Sequence, residues 1–353
     1  MPLNVTNRSE FDRLVEPHRR ALQAHCYRMM GSLFDAEDMV QETFLKAWRN
    51  RESLAVQASL RPWLYKIATN VCLDTLRGRR RRVVPTMRGS TSAPDEPIPP
   101  PMPEHVWLEP YPDSLLSAGD DAADPTSIER HGAPNGDPFE HVAAKHNITM
   151  AFIAALHLLP PRQRAVLILR DVMDWQTEEV ATLLDTTVSA VKSALHRARA
   201  TLAERGYTPD SMDGAVLHPG AQAQLNAYVR AWEAADIETL TSLLRDDATF
   251  SMPPVPTWYQ GRHIIGDLFA RTIFSGQAAS RWHLRPTRAN GQQAFGLYRV
   301  TGTPGRYAAY GIQVLRFDGP AIADITTFLE PRLFGYFDLP PLVEGADLAV
   351  SGG

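Results

Sequence analysis

A chain of 353 residues is long enough for two or three domains, each burying its own core. Its net charge of -4 hides strong segregation: residues 1–82 carry 15 basic against 9 acidic side chains, whereas residues 83–138 carry 2 against 10. A basic unit followed by an acidic tether points to a polyanionic partner. No apolar run is long enough to span a membrane and no cleavable signal pattern opens the chain, so the expectation is a cytoplasmic protein with no membrane contact. The two cysteines, Cys26 and Cys72, sit at no metal spacing and are too few for a disulfide framework; they are expected as buried free thiols. No metal, cofactor or catalytic residue is called for.

Residues 9–82 predict three or four helices. Phe11, Leu14, Val15, His18, Leu22, Cys26 and Met29 hold a helical period that Gly31 breaks. Over residues 35–51, Met39, Val40, Phe44, Ala47 and Trp48 form one stripe, with Asp35, Asp38, Gln41, Glu42 and Lys46 on or near the other side. After a loop, a helix from Leu60 has Pro62 in its first turn, where a missing amide hydrogen costs least. Leu60, Trp63, Leu64, Ile67, Val71 and Cys72 face inward; Lys66, Asn70, Leu73 and Arg77 do not, and the helix runs into Arg79, Arg80, Arg81 and Arg82.

Residues 83–138 hold 12 of the chain's 28 prolines and predict an acidic Pro-rich linker of polyproline character. Within it, HVWLEPYPDSLL gathers Trp107, Leu108, Tyr111, Leu115 and Leu116 into an apolar island that must dock somewhere.

Residues 139–206 predict a second helical block ending in a helix-turn-helix. Val180, Ala181, Leu183 and Leu184 make a short stripe, and Glu179 follows Gln176 as the second half of a capping box. In the last helix Val188, Val191, Leu195, Ala198 and Leu202 form the buried face, with Thr187 as N-cap. The opposite face carries Ser189, Lys192, Ser193, His196 and Arg199, with Arg197 on its flank. A helix of this kind enters the major groove, where Lys and Arg reach phosphates and guanine edges.

Three stretches in order, DAEDMVQETFLKAWRN, SLRPWLYKIATNVCLDTLRGRRRR and LLPPRQRAVLILRDVMDWQTEEVATLLDTTVSAVKSALHRARATL, resemble the two conserved blocks of bacterial extracytoplasmic-function (ECF) sigma factors. The resemblance assigns residues 8–82 to sigma region 2, 83–138 to the linker and 139–206 to sigma region 4. It implies that Asp35, Asp38, Gln41 and Glu42 dock on the beta-prime clamp helices of core RNA polymerase, with the beta flap as a further contact. It also implies that Leu54, Gln57 and Asn70 capture a flipped minus-10 base. Arg77 and Arg79, Arg80, Arg81 and Arg82 would follow phosphates, Lys66 is a further minus-10 contact, and Tyr65 is the ring better placed than Trp63 for base stacking. Thr187, Ser189, Lys192, Ser193, His196, Arg197 and Arg199 would read the minus-35 element. Relatives commonly carry an arginine where this chain has Ala194, so Lys192, His196, Arg197 and Arg199 must carry more of that recognition. The apolar island would thread the polymerase channel or dock on the chain's own C-terminal domain; both remain open.

Residues 215–335 change class. Helical periods over 221–235 and 237–244 precede strand candidates at 248–252, 282–287, 294–300, 308–317 and 322–328, with a further helix near 264–274, and 336–353 form a tail. Helices followed by a run of antiparallel strands suggest an α+β cone. Chiefly through AYVRAWEAADIETLTSLLRDDATFSMPP, the stretch resembles the SnoaL-like group of the nuclear-transport-factor-two-like superfamily. Phe250, Trp258, Tyr259, His263, Trp282, Tyr298 and Asp324 are candidate pocket residues, with His263 or Asp324 as the acid or base of any catalysis.

The fold class expected is multidomain: two all-α domains, the second with a helix-turn-helix, joined by the linker, plus the cone. The function implied is that of a sigma factor of the SigG-like and SigJ-like, actinobacterial type, monomeric when free. It binds promoter DNA with core polymerase and is modulated in cis by the cone touching the linker or region 2. The alternative is a small-molecule enzyme or ligand-sensing domain fused to a DNA-binding regulator.

Overall fold

The computed structural model describes residues 7–54, 59–79, 81–87, 89–116, 148–205, 207, 221–276, 279–303 and 305–344. Gln57, Arg80 and the linker beyond 116 lie outside them. The chain divides into two compact units, one made of residues 1–82 with 113–213 and the other of 83–112 with 214–353.

The first unit is helical. α1 (Arg8–Val15) starts where the Asn7 side chain accepts from the Glu10 amide at 2.8 Å. α2 (Arg19–Met30) is buried along most of its length and stops at Gly31, whose φ of 70 is cheap only without a Cβ. α3 (Leu33–Arg49) is capped by Ser32, 3.1 Å from the Asp35 amide, and buries Met39, Val40, Phe44 and Ala47. α4 (Leu60–Leu76) buries Trp63, Leu64, Ala68, Val71 and Cys72 against these helices. Cys26 and Cys72 are buried free thiols.

The second block contains α5 (Met150–Leu156), α6 (Pro161–Leu167), which continues as a π turn over Ile168–Val172, α7 (Thr177–Leu183) and α8 (Val188–Glu204). Caps fix the helix-turn-helix: the Gln176 amide donates to Glu179 Oε2 at 2.7 Å, and Thr187 Oγ1 accepts from the Ala190 amide at 3.1 Å. Between them the chain reverses at Asp185, φ 48, and the Thr186 amide reaches the Ala181 carbonyl at 2.9 Å.

The two helical blocks pack on each other. α4 meets α6 and α7, and the Tyr65 and Trp175 rings meet edge to face at 5.5 Å. Arg164 of α6 donates to the carbonyls of Leu156 (3.0 Å) and Leu159 (3.3 Å) in its own block and to that of Met29 in α2. Burial lowers its pKa to about 9, since none of these neutral acceptors repays the desolvation as a carboxylate would.

The second unit is a curved sheet backed by α9 (Ala221–Ala234), α10 (Ile237–Ser242) and α11 (Arg262–Leu268). Its strands are β1 (Leu244–Ser251), β2 (Trp258–Gln260), β3 (Trp282–Ala289), β4 (Gln292–Val300), β5 (Arg306–Asp318), β6 (Ala321–Phe328) and β7 (Leu342–Glu344). The order is β2-β1-β6-β5-β4-β3, with β7 on β5. One pairing departs from the expected antiparallel run: β1 lies parallel to β6, because helices and the intervening strands return the chain to its side. The expected tail from residue 336 also carries structure, with Val343 of β7 paired to Tyr307. At Gly311 an added Cβ would stand 2.5 Å from the Phe328 carbonyl oxygen, so the strands approach there only without a side chain. Trp232, Phe250, Phe269, Leu297 and Ile325 fill the concave side.

Residues 83–112 belong to this second unit, so Trp107, Leu108 and Tyr111 of the apolar island lie with the cone, whereas Leu115 and Leu116 fall in the first unit. The strap folds back on itself, the Val83 amide reaching the Val106 carbonyl at 2.9 Å and the Leu108 amide the Val83 carbonyl at 3.0 Å. Val83, Val106 and Trp107 form a small core with Met87 and Met102. The strap is tied to the cone by Ser92 N to Trp258 O, Met102 N to Pro254 O, and Trp258 Nε1 to Gly89 O, at 2.9, 2.9 and 3.1 Å. At its end Tyr111 and Asn290 exchange two bonds of 2.8 Å, Tyr111 N to Asn290 Oδ1 and Asn290 N to Tyr111 O.

Candidate nucleic-acid interface and cone cavity

On α8 the buried stripe of Val191, Ala198 and Leu202 turns Ser189, Lys192, Ser193, His196 and Arg197 outward together. Thr187 is exposed but uses its hydroxyl as the cap. Arg199 departs from the expected face. Its Nε and Nη2 donate to the two carboxylate oxygens of Asp171 at 3.1 and 3.0 Å, and the Asp171 side chain is 1% exposed. A buried carboxylate needs that paired charge, so in this conformation Arg199 is held inside its block instead of lying open to DNA.

The N-terminal block shows the same contrast. Asp38 and Gln41 are exposed on α3, and Glu42 is half-buried with Lys46 at 3.8 Å. Asp35 accepts from Arg79 at 3.1 Å and Arg82 at 2.7 Å, which tie the basic end of the block to the start of α3. Asn70, Arg77 and Arg81 are exposed. Tyr65 corrects the expected stacking ring: it is 1% exposed, packed between His25 and Trp175, and so is closed to a base in this conformation. Lys66 is likewise engaged, 2.7 Å from Asp185 in the turn of the helix-turn-helix. Leu54 ends a short turn, Arg51–Leu54, and its side chain lies outside the described residues.

Beneath Tyr65, His25 is wholly buried with Nε2 2.9 Å from Thr69 Oγ1, and burial lowers its pKa to about 3. His157 is pushed well below the ordinary histidine value, first by burial and then by Arg164.

The cone holds a cavity of about 270 Å³. Of the residues expected there, Phe250 and Trp282 line it. The others do not, and strand alternation explains most of them. Thr249, Asp324 and Thr326 point to the face opposite Phe250 and Ile325; Asp324 accepts from the hydroxyls of Thr249 and Thr326 (2.9 Å), and burial raises its pKa. Tyr298 also turns away, its hydroxyl donating to Pro340 O at 2.9 Å and its ring meeting Phe334. Trp258 faces the strap, Tyr259 is absorbed in the core, and His263 is exposed on α11. The cavity instead includes Arg281, Arg299, Tyr310 and, from the strap, Ile98. Sequence spacing marked none of them, because each reaches the cavity through the curvature of the sheet or the course of the strap. A contact of 2.6 Å between Glu233 Oε1 and His283 Nδ1 was likewise not anticipated.

Three family profiles match the chain in order: Sigma-70 region 2 over residues 14–82, Sigma-70 region 4 over 149–202, and the SnoaL-like domain over 225–325. The ECF RNA polymerase sigma factor SigG of Mycobacterium tuberculosis is 41% identical over 340 residues, covering 94% of this chain and 85% of that protein. SigJ of the same species is 27% identical over 327 residues, covering 90% and 86%. The crystal structure of SigJ matches with a TM-score of 0.55 at 23% identity, over 94% of this chain and 99% of SigJ. Two sigma-type helical blocks, the second with a capped helix-turn-helix, and a covalently attached SnoaL-like domain define the class. The chain belongs to the family of ECF RNA polymerase sigma factors.

Proposed function

We propose that this chain binds core RNA polymerase in the cytoplasm, recognises minus-35 and minus-10 promoter elements, and is held in a resting state by its own SnoaL-like domain. The outward row of Ser189, Lys192, Ser193, His196 and Arg197 supports promoter contact by α8. Asp38, Gln41 and Glu42 supply the charge for docking on the clamp helices.

The observation that carries the resting state is the strap. In sigma factors the connector between the two blocks passes through polymerase, and here residues 83–112 are bonded to the cone instead. Freed and extended, those residues would span about 100 Å at roughly 3.3 Å per residue. Packing of Tyr65 on Trp175 and of Lys66 on Asp185 adds to the restraint, because it occupies groups assigned to the minus-10 strand. Release of the strap then lets the two blocks separate to reach two promoter elements.

Run-off transcription with core polymerase tests both parts. Transcript that requires the full-length protein supports the sigma activity, and a rise when Asn290→Ala loosens the strap supports restraint in cis. Transcript unchanged by Asn290→Ala and by Trp107→Ala would remove the restraint from the account.

A further inference from the structure

The cavity of the cone has walls suited to an apolar body and an opening suited to a negative charge. Trp232, Phe250, Trp282 and Leu297 are buried in its lining. At its edge the Arg299 guanidinium lies 5.9 Å from the ring centres of both Trp282 and Tyr310, and no carboxylate pairs with it among the described residues. Arg281, in the same lining, already donates to the Ser275 carbonyl at 3.0 Å, which leaves Arg299 as the better placed cation. The described lining contains no Asp, Glu or His, so no carboxylate of the protein competes for Arg299 there. Ile98, from the middle of the strap, belongs to the same lining yet keeps 41% of its surface exposed.

We infer that the cone binds a small amphipathic carboxylate, its apolar body among the aromatic walls, its carboxylate on Arg299, and its outer edge against Ile98 of the strap. An arginine already stacked on aromatic rings is pre-organised to take a carboxylate. Because Ile98 completes the site only when the strap is docked, the ligand favours the docked strap, and by reciprocity the docked strap favours the ligand. This deepens the cis-restraint reading and rests on it for its regulatory consequence; the binding itself needs no polymerase.

Calorimetric titration of the full-length protein with 3-phenylpropanoate and with its neutral counterpart 3-phenylpropanol tests the inference. The acid is expected to bind saturably at one site, about tenfold tighter than the alcohol. Arg299→Gln should bring the acid down to the affinity of the alcohol and leave the alcohol unchanged, while Ile98→Ala weakens both. Hydrogen exchange across residues 83–112 should slow when the acid is bound. Absence of saturable binding of the acid up to millimolar concentration, or undiminished binding by Arg299→Gln, would overturn the site. Binding without slowed exchange in the strap would overturn the coupling. Either failure leaves transcription by the protein standing, and loss of transcription would leave these titrations unaffected.

Discussion

Arg199 and Arg197 sit two positions apart on one helix and are held in different ways. Arg197 is exposed, whereas Arg199 neutralises Asp171 inside the block. Arg199→Ala is therefore expected to cost about 3 kcal/mol of stability, measured by chemical denaturation, because it strands a buried carboxylate. Arg197→Ala and Lys192→Ala should change stability by no more than about 0.5 kcal/mol. Each should instead weaken promoter binding of the holoenzyme and reduce its salt slope by about 1. Helical spacing identified the polar side of α8, but it carries no information on a partner 28 positions away that withdraws one member of that side. Tyr65 is the same case, since Trp175 covers it from the other block.

His25 gives the helical unit a pH dependence of definite sign. Its folded pKa of about 3 lies below the ordinary 6.5, so between those values the unfolded chain binds the extra proton. The stability contributed is present above pH 6.5 and is lost as pH falls toward 3, with a slope of about 1.4 kcal/mol per pH unit for each such group. His157, also depressed, adds in the same direction. Denaturation midpoints at pH 7.5, 6.5 and 5.5 should fall in that order, and His25→Gln should flatten the decline.

Among the elements, the helices were the most legible in the sequence because their ends carry their own signals. Gly31, Ser32, Thr187 and the Gln176–Glu179 pair each terminate or start a helix through bonds within a few residues. Strands of the cone were legible by alternation, and the parallel placement of β1 beside β6 was not, since register between distant strands is set by the whole sheet. The strap was the least legible. Its prolines suggested an open linker, but its last hydrogen bond joins residues 179 positions apart. Trp107, 3% exposed, is the centre of the strap's small core. Trp107→Ala is expected to remove about 3 kcal/mol of packing there and to open residues 83–112 to limited proteolysis, while the strands of the cone keep their exchange protection. The Lys66–Asp185 pair is exposed on the Asp185 side, so Asp185→Asn should cost less than about 1 kcal/mol and act mainly by easing separation of the helical blocks.

At the scale of the molecule, charge segregation indicated a basic block meeting a polyanion and an acidic connector, and the family gives that pattern a use. The connector's first thirty residues belong with the cone, while the blocks it joins pack Tyr65 on Trp175 and pair Lys66 with Asp185. Under the proposed restraint, activity depends on how firmly the strap is held. The cavity containing Ile98 places that hold within reach of a small molecule. The most direct measurement is run-off transcription with core polymerase, comparing the full-length protein with Trp107→Ala at equal concentration. The account predicts transcript that depends on the protein in both reactions and is severalfold greater with Trp107→Ala. Equal transcript from a Trp107→Ala protein whose strap has become protease-sensitive, or no transcript from either, would contradict it.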